Sequence, residues 1–123
     1  MFISSMEWLK KKKISFYNSQ FFIDDTGVLL GTYRKVHLFD SEKNYFTPGD
    51  QFKVFNTKIG RIGLFICYDA FFPEAARSLA IQGVDLLVNS TNWEKPYDYD
   101  IAKQMKHDYY TMLTERRPDV YIA

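Results

Sequence analysis

Cys67 is the one cysteine of the chain, and it stands where an apolar run meets a helix start. The run before it, Arg61-Ile62-Gly63-Leu64-Phe65-Ile66, is β-prone. The run after it, Tyr68-Asp69-Ala70-Phe71-Phe72-Pro73-Glu74, leads into a helix with Pro73 at its first position. Backbone geometry at such an elbow holds a thiol out, close to the amides at the mouth of a helix. That environment favours the thiolate, the form that attacks as a nucleophile. The competing reading is a small buried hydrophobe, the commonest fate of a cysteine after an apolar run.

Three further groups could join Cys67. Lys35, in Tyr33-Arg34-Lys35-Val36-His37-Leu38-Phe39, falls at a strand end between residues expected to be buried. It can supply positive charge to a developing oxyanion, or it can snorkel to water. Glu42 follows in Ser41-Glu42-Lys43-Asn44-Tyr45-Phe46-Thr47-Pro48-Gly49. Its carboxylate can act as acid or base, can hold the Lys35 ammonium, or can be an ordinary surface group. Asp69, Glu74 and Arg77 surround the elbow and read as supporting scaffold. Glu74 suits a first helical turn, and Arg77 is spaced to pair with it. His37 could form a Cys/His pair with Cys67, but no Asn or Asp partner to orient it is evident. His107 is expected on an exposed helix face. Neither histidine has metal-ligand spacing, so no metal is expected. Gly60-Arg61-Ile62-Gly63 is too short for a phosphate loop and precedes a strand.

The elements that must position these residues are legible from pattern. A hairpin is expected from Ile14–Ile23 and Val28–Tyr33 around the turn Asp24-Asp25-Thr26-Gly27. Residues 34–51 read as irregular and polar. Phe52–Phe55 is a strand, followed by the strand into Cys67. Pro73–Gln82 has helical spacing at Ala75, Ala76, Leu79 and Ala80, with Gly83 as its stop. Val84–Asn89 is the next strand, so the order implies a right-handed parallel crossover. A loop over Ser90–Asp98 carries Trp93, Ile101–Thr114 reads as a helix, and Val120–Ala123 as the start of a strand.

With 123 residues, the chain suffices for one domain and not two. A net charge of +1 gives no nucleic-acid footprint. The lysine run Lys10–Lys13 stands alone and reads as a solvated turn rather than a membrane or nucleic-acid patch. No apolar run approaches membrane-spanning length, and no signal segment is present, so a cytoplasmic protein is expected. One cysteine excludes an intrachain disulfide framework. It also leaves a redox-sensing thiol without a resolving partner. Aromatic residues make up 18%, a load that suggests apolar surface in need of cover.

Taken together, these blocks resemble the nitrilase superfamily of carbon–nitrogen hydrolases. The blocks are Tyr33–Phe39, Phe46-Thr47-Pro48-Gly49-Asp50, Gly60–Gly63, Ile66–Asp69 with Phe72-Pro73-Glu74 and Arg77, and Asn92-Trp93. Each alone is weak, but in this order and spacing they form a specific signal covering about residues 14–123. The resemblance implies an α/β fold, part of an α-β-β-α sandwich, with a mixed sheet and helices on one face. It implies a cysteine nucleophile at Cys67, a catalytic lysine at Lys35 and a supporting glutamate at Glu42. The Tyr68 N–H would join Lys35 at the oxyanion, and Trp93 would line the pocket. The substrate would be a small amide or nitrile, no cofactor would be required, and a homo-oligomer is plausible.

The resemblance also brings a discrepancy. The family's general-base glutamate lies well before the lysine block, whereas here only Glu7 precedes Lys35 and nothing around it resembles the base motif. The chain is therefore expected to be a single partial domain, truncated at both ends. Two functions stay open: a hydrolase acting through a cysteine acyl-enzyme, and a non-catalytic fragment that pairs with another chain.

Overall fold

In the computed structural model, residues 14–91 are described, together with the backbone of residues 121–122. The expectations at Glu7, Lys10–Lys13, Asn92, Trp93, His107 and the helix over 101–114 lie outside them.

The first two strands form the expected hairpin. β1 (Ser19–Ile23) pairs antiparallel with β2 (Leu29–Arg34), with a bulge between Phe22 and Ile23. Its turn is built by Asp24, whose Oδ1 accepts from the Thr26 hydroxyl, the Thr26 N–H and the Val28 N–H. The Thr26 and Val28 hydrogen bonds hold the Asp24 carboxyl below its usual range. The strand expected from Ile14 begins only at Ser19, because residues 14–18 have no continuous partner strand. They are tied instead by single bonds, the Thr47 N–H to the Phe16 carbonyl and the Lys35 N–H to the Asn18 carbonyl.

The second sheet is mixed, in the order β3-β4-β5-β6. β3 (Val54–Thr57) runs antiparallel to β4 (Gly60–Ile66). β4 is parallel to β5 (Leu86–Ser90), and β5 is parallel to β6 (Tyr121–Ile122). β3 starts two residues later than the sequence suggests, leaving Phe52 to pack against both halves of the core. The β4–β5 crossover contains α1 (Pro73–Ile81) with Pro73 at its first turn. Past the Gln82 cap of α1, Gly83 has a φ of 79°, the left-handed conformation a helix stop favours.

β4 is central and buried on both faces, as a strand between two layers must be. Phe65 faces α1, where Ala75, Ala76, Leu79, Val84 and Leu87 close the core. Ile62, Leu64 and Ile66 face the opposite way, against Tyr33 and Phe22 of the hairpin. The described residues thus form three layers: helix, mixed sheet, hairpin. This is the expected α/β architecture, with α1 on one face of the sheet. Among the described residues, no helix is long and apolar enough to cross a membrane.

Candidate active site

Lys35 follows β2 directly, and its backbone is held on both sides. Its N–H donates to the Asn18 carbonyl and its carbonyl accepts from the Gly49 N–H, both at 2.8 Å. The side chain is only 3% exposed and does not reach for water. Its Nζ donates instead to Glu42 Oε2 at 2.7 Å.

Glu42 comes from a 3₁₀ helix, Asp40–Asn44, inside the stretch expected to be irregular. That helix turns the glutamate back over its own start. Oε2 also accepts from the Phe39 N–H at 2.7 Å, and Oε1 accepts from Asn18 Nδ2 at 2.8 Å. Burial opposes the charged form, but the bonds from Lys35, Phe39 and Asn18 outweigh it and hold Glu42 below the ordinary carboxylate range. Both carboxylate oxygens are therefore occupied, which suits a group that orients Lys35 better than one that shuttles protons. Asn18 escaped the sequence reading. A lone asparagine ahead of a strand gives no signal of the carbonyl and amide it contributes here.

Cys67 opens a second 3₁₀ helix, Cys67–Phe71, directly after β4. Its φ of 45° is positive, one of two such values at described non-glycine residues. A positive φ at a residue with a Cβ costs about 1–3 kcal/mol and persists only where neighbours enforce it. This is the elbow expected from the sequence, with the thiol partly buried at the edge of the hairpin-side core.

Asp69 braces the strand end just before Cys67. It is fully buried. Oδ2 accepts from the Tyr33 hydroxyl at 2.7 Å and from the Ile66 N–H at 3.0 Å. Oδ1 accepts from the His37 N–H at 2.8 Å and lies 3.1 Å from His37 Nδ1. A carboxylate oxygen accepts, so this contact is a hydrogen bond in the tautomer that carries the proton on Nδ1. His37 does have an acidic partner, contrary to the sequence reading. Asp69 is hidden from that reading because it lies 32 residues away. The pair does not extend to the thiol, since no hydrogen bond joins His37 to Cys67. The His37 ring lies flat on Phe72, with centroids 3.8 Å apart. Burial, and then the Asp69 charge, push the Tyr33 phenol far above its usual range, so it remains a donor.

Glu74 and Arg77 are exposed on α1, and the expected pair between them is absent from the ion pairs among the described residues. Solvent competes for both, and an exposed pair at this spacing gains little. The Tyr68 ring joins an aromatic wall, 5.0 Å from Phe39 and 5.2 Å from Phe72. Tyr68, Phe72, His37 and Phe46 line a cleft of about 430 Å³ with Lys43 at its rim. No cluster of three His, Cys, Asp or Glu side chains suited to a metal occurs among the described residues.

Comparison with known proteins adds a family context. The model of a family described as carbon-nitrogen hydrolase matches residues 1–113. A probable nitrilase from Schizosaccharomyces pombe is 46% identical over 99 residues, which is 79% of this chain and 36% of the relative. An N-carbamoylputrescine amidase from Solanum lycopersicum is 52% identical over 80 residues, covering 61% of this chain and 27% of the relative. Among solved structures, Saccharomyces cerevisiae Nit3, a member of the nitrilase superfamily, aligns with a TM-score of 0.75 at 27% identity, over 86% of this chain and 37% of that one. A mutant amidase from Nesterenkonia sp. AN1 aligns with a TM-score of 0.71 at 27% identity, over 77% of this chain and 36% of that one. That amidase carries the acetamide moiety of fluoroacetamide, added covalently at its active site cysteine. The chain spans roughly a third of the length of the proteins it matches.

Proposed function

Because the chain belongs to the carbon-nitrogen hydrolase family, we propose that it carries the nucleophile and the cation of a thiol hydrolase acting on non-peptide C–N bonds. The observation that carries this reading is a positive-φ elbow at Cys67 in the same fold as a buried Lys35 whose ammonium is held by Glu42. Cys67 Sγ attacks the carbon of a small amide or nitrile and forms a C–S bond. For an amide, Lys35 Nζ and the Tyr68 N–H stabilise the oxyanion, the C–N bond breaks, and ammonia or an amine leaves carrying the proton given up by the thiol. Water then hydrolyses the thioester, releasing the acid and restoring the thiol. Glu42 holds Lys35, and Asp69 supports the elbow. Glu74 and Arg77 serve α1. Residues 1–123 act as a single partial domain in the cytoplasm, able to self-associate.

A second reading, a non-catalytic piece of such an enzyme, is favoured by one specific observation. Of the two glutamates among the described residues, Glu42 is fully engaged and Glu74 is exposed on α1. Neither is placed to serve Cys67 as a base. Loss of general acid–base help slows such a reaction by about 10²–10⁴-fold.

Intact-mass detection of a thioester on Cys67, beside ammonia release from simple amides, decides between them. Turnover that vanishes in Cys67→Ala supports the hydrolase. Ammonia release equal to that of Cys67→Ala, with no acyl adduct, leaves the fragment reading standing.

A further inference from the structure

Three observations converge on one side chain outside the Cys67–Lys35–Glu42 set. Tyr33 and His37 flank Lys35 two residues to either side, and both donate to Asp69. Asp69 lies two residues past Cys67, and it also accepts from the Ile66 N–H immediately before the thiol. Its side chain is fully buried and is served by donors on both of its oxygens. We propose that Asp69 is a positioning residue that fixes the Lys35 segment against the Cys67 elbow, so that ammonium and thiol are held at one separation.

The lysine block and the elbow belong to different sheets, so nothing in either sheet's ladder fixes one relative to the other. Apolar contact between Tyr33 and Ile62, Leu64 and Ile66 holds the layers together without direction. Directional bonds are what set their register, and the hydrogen bonds between the block and the elbow all end on Asp69. Removing this acceptor leaves the Tyr33 hydroxyl and the Ile66 and His37 amides seeking new partners. The cheapest relief is a shift of one segment past the other.

The proposal rests on the reading of Cys67 and Lys35 as one site, and the test separates the two. The full chain is reacted with iodoacetamide across pH, Cys67 being its sole thiol. Wild type is compared with Lys35→Ala, Asp69→Asn and the double variant, with circular dichroism to confirm folding. An ammonium held near a thiol favours the thiolate, so Lys35→Ala moves the alkylation profile to higher pH and slows alkylation at neutral pH by about tenfold. Asp69→Asn is expected to move it the same way by about threefold to tenfold, with the double variant no slower than Lys35→Ala alone.

A folded Asp69→Asn protein with an unmoved profile overturns the proposal. So does a profile moved to lower pH, which would mean that the Asp69 charge acts on the sulfur directly. An unmoved profile in Lys35→Ala overturns the underlying site reading, and this proposal with it. If Asp69→Asn does not fold, Tyr33→Phe carries the test. It keeps the ring volume and the carboxylate, and it is expected to slow alkylation about twofold to threefold only when Lys35 is present. Equal slowing in the Lys35→Ala background overturns the proposal.

Discussion

Glu42 shows how one side chain can be committed on every face. Its native carboxyl is held below the ordinary value of 4.5. A group depressed in this way contributes stability that is fully present above its unfolded value and is lost as pH falls through the native one. Thermal melts of the wild type are therefore expected to drop as pH falls below about 4.5, and Glu42→Gln is expected to flatten that limb while lowering stability at neutral pH. A Glu42→Gln variant with the wild-type acid limb would show that the bonds to Lys35 and Asn18 contribute nothing measurable. The residues doing this work were only partly legible in the sequence. Cys67, Lys35 and Glu42 announce themselves through residue type and local neighbours. Asn18 and the Asp69–His37 contact do not, because each takes its role from a partner 24 or more residues away.

The elements divide along a similar line. β4, α1 and β5 are readable because their apolar spacing is local and regular, and Gly83 marks the helix end. The 3₁₀ helix at Asp40–Asn44 is not, since it buries no residue and so leaves no periodic trace. Its neighbour Gly49 shows what the loop demands. Its N–H reaches the Lys35 carbonyl at 2.8 Å, and a Cβ there would collide with the Arg34 carbonyl. Gly49→Ala is expected to destabilise the fold by about 1–3 kcal/mol in chemical denaturation, and to slow Cys67 alkylation through displacement of Lys35. On the helix side, Leu79 is wholly buried among Phe65, Val84 and Leu87. Leu79→Ala is expected to cost about 2–5 kcal/mol without moving the alkylation profile of the remaining folded protein. A cost below about 1 kcal/mol would mean that α1 is not firmly docked.

For the molecule as a whole, the exposed apolar side chains of the hairpin and of the nearby β3–β4 turn stand out. Phe21, Ile23, Val28 and Leu29 are each more than half exposed, and Ile59 is 82% exposed. Phe22, Leu30 and Ile62 line a cleft of about 480 Å³ nearby. Apolar surface gathered in this way favours association. Sedimentation of the 123-residue chain is expected to show concentration-dependent self-association, weakened by Phe21→Lys. A monomer at all concentrations would count against self-association. The bonds ending on Asp69 bear on how the molecule comes together. The hairpin and the β4–α1–β5 unit can each form from neighbours in sequence, but Tyr33 and Asp69 are 36 residues apart. Closing so long a loop must await both halves, which makes it a late event in folding. During refolding, the gain in Cys67 alkylation rate that Lys35 confers should trail the appearance of helical signal, so the chemistry of the site would serve as a clock for the final docking step.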